Sequence, residues 1–259
     1  MAGDKKLLAT AVRAVKEAGR IHLKYFRRLK SYGFKEYVTN IVTKADLESE
    51  KAIKDIIRKT YPSHGFLAEE SGEENSTGEY RWIIDPLDGT VNYAHGFPLF
   101  CSSVAVQKKG VTLAGAVFAA YIGELYTARK GKGAFLNGKR LRVSGEKRLN
   151  KSLTGTGFPY SIYFEQGNQF ERFRNIATTG PVRRGGAAAL DLCYVASGVF
   201  EGFFEQGLKP WDTAAAALLV EEAGGKLTNY SGGKFDIFGN ETLASNGRIH
   251  NQLSKLLAK

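Results

Sequence analysis

The sequence predicts an α/β fold of layered helices and sheets. Three observations carry that expectation. Apolar residues recur at helical spacing near both ends of the chain, a run of closely spaced strands fills its middle, and strands then alternate with helices. Residues 4–29 read as an amphipathic helix, with Leu8, Val12, Val15 and Ile21 opposite Lys5, Arg13, Lys16 and Arg20. A polar segment, SYGFKEYVTN, leads to a second helix at about 45–60, which Tyr61-Pro62 closes. GFLAEES reads as a short strand entering an acidic loop, ENSTGEY as a surface loop and RWIID as a buried strand. From Phe100 to Val143 the pattern is a meander of FCSSVAVQ, VTLAGAVFAAY, ELYTARK and GAFLNGKRLRV, with Asn137-Gly138 as a tight hairpin turn. Beyond it, helices are expected at 187–197, 212–223 and 247–257, and strands near 153–156, 200–204, 226–228 and 242–244. No repeat or linker interrupts the chain. It reads as one unit over 1–259 with approximate halves 1–147 and 148–259.

A hydrophobic content of 43% over 259 residues supplies a sizeable core and excludes a disordered chain. Cys101 and Cys193 each sit in an apolar stretch, which argues against a disulfide scaffold or a zinc site and fits the reducing cytoplasm. The N-terminus lacks the apolar run of a signal peptide. LAGAVFAAYI is too short to span a bilayer, so no membrane association is expected. The net charge of +11 is spread along the chain beside acidic neighbours. It implies solubility and some steering of anionic substrates rather than a nucleic-acid stripe.

The residues 82–92, WIIDPLDGTVN, end a buried strand on two carboxylates, Asp85 and Asp88. Taken singly, each acidic residue has an ordinary explanation. Asp-Pro and Asp-Gly are turn dipeptides, Glu69-Glu70 is a charged loop, and Asp212 is an N-cap at the start of a helix. Taken together, Glu69, Asp85, Asp88 and Asp212 make a cluster that repels itself unless its pKa values rise or a cation binds. Oxygen donors without histidine or thiolate favour Mg²⁺ or Mn²⁺ over zinc. If Gly89-Thr90 opens a short helix, its free amides point at an anion. Metal-assisted hydrolysis of a phosphate ester follows as the natural hypothesis.

DPLDGTVNY at 85–93 and WDTAAAALLVEEAGG at 211–225 resemble the two signature motifs of the inositol monophosphatase family. LAEES at 67–71 and VTKAD at 42–46 resemble its other two acidic segments, in the expected order, and TGFPY with the run from Arg183 to Asp212 looks like the bacterial-type members. The resemblance spans nearly the whole chain. It implies the five-layer α-β-α-β-α sandwich shared with fructose-1,6-bisphosphatases, most metal ligands in the first half, and Asp212 with the substrate-side residues in the second.

The resemblance also implies roles. Glu69, Asp85 and the carbonyl of Leu87 would hold one Mg²⁺, Asp85, Asp88 and Asp212 a second, and Glu69 would help a weaker third through water. A metal-activated water would attack in line, oriented by Glu69 and by Thr90, whose hydroxyl would pair with Asp46. The amides of Gly89 and Thr90 would hold the phosphate. Gly186, Ala187, Ala188 and Glu205, with Asp212, would read the substrate's hydroxyls. Ala187 lacks the hydroxyl that several relatives carry there, and Leu67-Ala68 stands where many members have a small residue and glycine. Lys35 would lie on a mobile loop that closes over the metals. The expected state is a lithium-sensitive homodimer acting on a small phosphorylated substrate.

Inositol monophosphate is the leading substrate. Fructose 1,6-bisphosphate, alone or as a dual activity, and 3′-phosphoadenosine 5′-phosphate are rivals, although Val91-Asn92-Tyr93 replaces the Lys-Glu that nucleotide-specific members often show. A non-catalytic role in binding the transcription machinery is the alternative from another class; loss of Asp85, Asp88 or Asp212 would have favoured it, and all are present. For the periphery, Trp211 reads as core packing, His22, His64, His95 and His250 mostly as surface residues, and GKGAFLNGKR as a basic hairpin rather than a phosphate loop.

Overall fold

In the computed structural model, which describes residues 2–29, 31–35, 40–74, 78–163 and 167–258, the chain opens with helix α1 (Ala2–Tyr25). Its buried stripe is made of Leu7, Ala11, Ala14, Val15, Ala18 and Ile21. Leu8 and Val12 lie only at the margin. Small residues take the centre because the helix sits close on the sheet: a Cβ at Gly19 would come within 2.6 Å of the Phe118 ring. The helix stops short of the expected Leu29, and Arg27 turns the chain at φ 60°. Two short strands, β1 (Gly33–Phe34) inside the segment read as merely polar and β2 (Ile41–Val42) just after it, pair with each other.

Helix α2 (Lys44–Thr60) starts at a capping box. The Thr43 hydroxyl accepts the Ala45 amide at 3.1 Å, and the Asp46 carboxylate accepts the Thr43 amide at 2.8 Å. An eight-stranded sheet follows, formed by β3 (Gly65–Ala68), β4 (Gly72–Glu74), β5 (Tyr80–Asp88), β6 (Cys101–Lys108), β7 (Val111–Ala119), β8 (Glu124–Arg129), β9 (Gly133–Leu136) and β10 (Lys139–Arg140). Their spatial order is β10-β9-β8-β7-β6-β5-β3-β4, antiparallel except for the β3–β5 pair. Asn137 and Gly138 turn β9 into β10 with φ 48° and 80°, the left-handed pair a two-residue hairpin needs. Strand β4 falls where the sequence suggested only loop; its three residues carry too little apolar pattern to be read.

After the short helix α3 (Thr90–Ala94), which leaves β5, the second half adds α4 (Gln169–Ala177), α5 (Ala188–Ala196), α6 (Pro210–Glu222) and α7 (His250–Leu257). Its five-stranded sheet runs β12 (Val182–Arg183), β11 (Thr154–Thr156), β13 (Gly202–Gln206), β15 (Glu241–Ser245) and β14 (Lys226–Thr228) in space. Helix α4 and strand β12 escaped the sequence reading. The buried alanines and leucines of α5 and α6 pack between the two sheets, touching Ile83, Ala105 and Val117 on one side and Phe203 and Ala244 on the other. Helices α1 and α2 cover the far face of the large sheet through Trp82, Ile84 and Val104. Alternation along β13 sends Phe204 the other way, to Ile176 of α4 and Leu253 of α7. His250 is buried there, its ring nitrogens 2.8 Å from Thr228 and 2.8 Å from Ser245, so it is a core residue and not the surface histidine expected.

Helix α6 is apolar all round because it is buried on both sides. It packs tightly on the large sheet at Gly115, where a Cβ would lie 2.9 Å from the Cα of Ala215. Gly115→Ala should therefore push α6 off the sheet and lower stability by about 1–3 kcal/mol, read as a shifted urea midpoint at constant m-value. An unchanged midpoint would show that the two layers have slack at this point.

Candidate active site

Strand β5 carries the first part of the site. In a regular strand Asp85 and Asp88, three apart, face opposite sides of the sheet. Here the pairing with β6 slips: Asp85 stands opposite Ser103 and Asp88 opposite Cys101, so three steps on one strand match two on the other. This β-bulge turns both carboxylates into one cleft. Pro86 suits the bulge because it has no N–H to lose from the ladder. The Pro86 carbonyl is not orphaned; the buried His22 ring lies 2.9 Å away. Burial lowers His22 to a pKa of about 4, so at neutral pH the ring is uncharged and donates Nε2–H to that oxygen. His22 is thus a bulge-holding residue rather than a surface one.

The turn after the bulge needs Gly89. Its φ is 87°, and a Cβ would meet the Leu99 carbonyl at 2.9 Å and the Ala187 Cβ at 3.1 Å. Thr90 then begins α3, with its hydroxyl 3.0 Å from Asp46 and 2.9 Å from the Leu87 carbonyl. Asp46 is fully enclosed, and burial raises its pKa to about 6 despite the bonds from Thr43 and Thr90.

Glu69 follows the end of β3, the parallel neighbour of β5, and its amide donates to the Ile84 carbonyl at 3.1 Å. The Lys35 ammonium reaches in to Glu69 at 2.8 Å and Glu70 at 2.6 Å. Burial works to lower the Lys35 pKa, but the two carboxylates outweigh it and raise it. Glu70 is lifted to about 7 by burial and by the Glu69 charge. Its amide is held by Glu50, which pairs with buried Lys54, so α2 braces the acidic loop.

The second half closes the cleft. Asp212 lies in the first turn of α6, not at its N-cap, and accepts the Lys209 amide at 2.7 Å. Asp88 accepts the amides of Ala188 at 3.2 Å and Ala189 at 2.8 Å, so the start of α5 holds a carboxylate from the first half. Glu205 is buried with its carboxylate against Gly157, where a Cβ would lie 2.2 Å from either oxygen. Among the described residues nothing donates to it. The resulting cleft has a volume of about 550 Å³ and is lined by Lys35, Glu69, Asp85, Leu87, Asp88, Gly89, Thr90, Gly186, Ala187, Ala188, Glu205 and Asp212.

Burial raises Asp88 to about 7 even though amides hold it. Asp85 and Asp212 are raised as well, first by burial and then by the neighbouring carboxylates, Glu69 foremost for Asp85 and Asp88 for Asp212. Among the described residues no three His, Cys, Asp or Glu side chains close into a compact metal cage. The donor chemistry nonetheless fits a hard cation: oxygens only, on buried Asp85 and Asp88 and half-buried Glu69 and Asp212, mutually repelling, with one lysine as counter-ion at Glu69.

A family model described as the inositol monophosphatase family matches residues 4–259. The chain belongs to the inositol monophosphatase family. It is 40% identical to the inositol-1-monophosphatase of Mesorhizobium japonicum, over 98% of this chain and 96% of that one. It is also 40% identical to a putative Nus factor SuhB of Neisseria meningitidis serogroup B, over 97% of each. The solved inositol monophosphatase of Anabaena superposes with a TM-score of 0.90 at 39% identity, covering 98% of this chain and 96% of that one.

Within this inositol monophosphatase fold, every site residue singled out from sequence lines the cleft except Asp46, which reaches it through Thr90. The Ala188 amide is committed to Asp88. Residues 36–39 of the expected mobile loop lie outside the described residues. Three contributors were missed. His22 sits on a helix remote in sequence. Asn92 spans the halves, donating to the carbonyls of Leu99 at 2.7 Å and Gly185 at 2.9 Å. Asp191 lies buried against Gly185 and bears on Glu205. Of these, only Asn92 carried a signal, its place inside the signature motif.

The raised carboxyls set a pH dependence for the metal-free protein. Asp46, Asp88 and Glu70 bind their protons more tightly folded than unfolded, at about 6, 7 and 7 against 3.8, 3.8 and 4.5. Their contribution to stability is full below the unfolded values and is lost as pH rises through the folded ones. In chelator, the unfolding midpoint should fall between about pH 4 and pH 7, and millimolar Mg²⁺ should flatten that fall. Thermal melts across this range check it; a midpoint rising steadily to pH 7 in chelator would contradict the cluster.

Proposed function

We propose that the protein is a Mg²⁺-dependent phosphomonoesterase that hydrolyses inositol monophosphate to inositol and phosphate. The observation that carries this reading is the β5 bulge, which delivers Asp85 and Asp88 to the same cleft as Glu69, Asp212 and the Gly89–Thr90 turn. The family is metal-dependent, and the donors suit two Mg²⁺, with a third held more weakly; Mn²⁺ meets the same oxygens. Glu69, Asp85 and the Leu87 carbonyl would hold one cation, and Asp85, Asp88 and Asp212 another. Bound there, the cations would supply Lewis acidity to the phosphate, activation of water and charge neutralisation of the leaving oxygen.

The chain's own groups do the rest. The Gly89 and Thr90 amides, at the start of α3, hold phosphate oxygens. Thr90 donates its hydroxyl proton to Asp46 or to the Leu87 carbonyl, which leaves its lone pairs to orient the attacking water. Glu69 accepts that water's proton, with Lys35 as counter-ion. Glu205, buried and without a donor in the described chain, accepts a substrate hydroxyl beside Gly186 and Ala187. The helix–sheet packing of both halves supports the five-layer sandwich, and the family supports a lithium-sensitive homodimer in the cytoplasm. No helix among the described residues is long and apolar enough to cross a membrane.

A second reading rests on the relatives named Nus factor and on the +11 charge: the same chain docks on the transcription machinery through a separate surface. Phosphate release from inositol 1-phosphate, fructose 1,6-bisphosphate and 3′-phosphoadenosine 5′-phosphate, with and without Mg²⁺, separates these readings. Inositol 1-phosphate should be turned over fastest and only with the cation. Asp85→Asn should lower kcat by about a thousandfold, roughly 4 kcal/mol, with an unchanged circular-dichroism spectrum. Near-normal turnover by that variant would sink the ligand assignment, and no turnover of any substrate by the wild type would leave the docking role.

A further inference from the structure

A second cleft, of about 540 Å³, opens where the chain leaving β10, the end of α6 and the β15–α7 turn meet. It shares no lining residue with the acidic cleft. Arg140, Arg142 and Arg248 line it, and all three are exposed. Six other arginines, Arg20, Arg58, Arg81, Arg148, Arg172 and Arg174, each pair with a carboxylate, whereas Arg13, Arg27, Arg28, Arg129, Arg183 and Arg184 have no such pair among the described residues. Among the described residues, none of the three in the cleft has an ion-pair partner.

The one acid in the cleft does not serve them. Both Glu222 oxygens accept backbone amides, from Gly131 at 2.5 Å and Gly133 at 2.6 Å. Arg140 is held without any carboxylate. Its guanidinium lies over the Phe135 ring, 6.0 Å from the centroid, and rests on Gly133, where a Cβ would meet Nη2 at 2.9 Å. A guanidinium fixed by an aromatic face and a missing side chain loses little freedom on meeting an anion. Arginines near a helix end also offset the helix dipole. That role needs no cavity, and the Ala223 carbonyl at the end of α6 is already bonded by the Val143 amide at 3.2 Å.

We propose that this cleft is a second anion site, which takes a small phosphorylated molecule. Guanidinium forks match phosphate oxygens in pairs, the volume suits a small ligand, and Val143 and Ala223 offer apolar wall to its remainder.

The probe is inorganic pyrophosphate, titrated calorimetrically into the whole protein in chelator, with hydrogen exchange to locate it. Wild type should bind, with protection at residues 140–148 and 246–249. The double variant Arg142→Ala, Arg248→Ala should lose affinity about a hundredfold, tenfold for each charged hydrogen-bonding group. It should keep its melting temperature and its phosphate release with saturating Mg²⁺. Binding equal to wild type, or protection confined to residues 89–92 and 184–188, would overturn the proposal. So would protection of the cleft by an RNA oligomer but not by pyrophosphate, since the ligand would then be a macromolecule.

Discussion

Buried Asp85 and Asp88 have half-buried Asp212 as a near neighbour, and their mutual repulsion is the constraint that the rest of the architecture answers. Like charges a few ångströms apart repel by about 4 kcal/mol at an effective dielectric near 20. No chain gathers such groups without fixing each one from outside the cluster. Asp88 is held by the first amides of α5, Asp212 by the Lys209 amide, Asp85 by the Leu87 amide at 3.0 Å, and Glu69 by Lys35. The carboxylates come from both halves of the chain, so the site exists only when both sheets are formed and docked.

Docking is the work of α5 and α6. Their alanine-rich surfaces allow close approach to both sheets, and the contact of Gly115 with Ala215 sets the spacing. Asp212 rides in the first turn of α6, so the seating of that helix on the large sheet also sets where Asp212 stands relative to the bulge. Packing density and site geometry are here a single quantity. A layer shift of the size of one methyl group moves the Asp212 carboxylate by as much.

The bulge is the second dependence. Its carbonyl is met by an uncharged His22, whose own backbone carbonyl accepts the Tyr93 hydroxyl at 2.6 Å, so α1, β5 and α3 are tied at one point. Charging that histidine inside an apolar cluster of Phe26, Tyr93 and Phe100 is costly, which is why burial depresses its pKa. The conformation that turns two aspartates to one side is therefore stabilised by a residue more than sixty positions away, and no local signal marks it.

Much of this was legible in the residue order. The helix at 44–60, the meander, the turn at Asn137-Gly138 and the carboxylates of the two signature motifs depend on short-range chemistry: period, turn residues and the identity of donors. The strands of two or three residues and helix α4 were not, because so few residues carry no resolvable period. His22 and His250 were misplaced for a related reason, since a lone histidine's burial depends on partners supplied by other elements. By itself the sequence determined the family, the layered α/β class and which oxygens are available for a cation. Only the tertiary structure decided that Asp85 and Asp88 face the same way, that Asp88 is capped from the far half, and that Lys35 lies against Glu69. Each of these is a relation between chain segments distant in sequence, set by strand register and helix docking rather than by any residue's own preference.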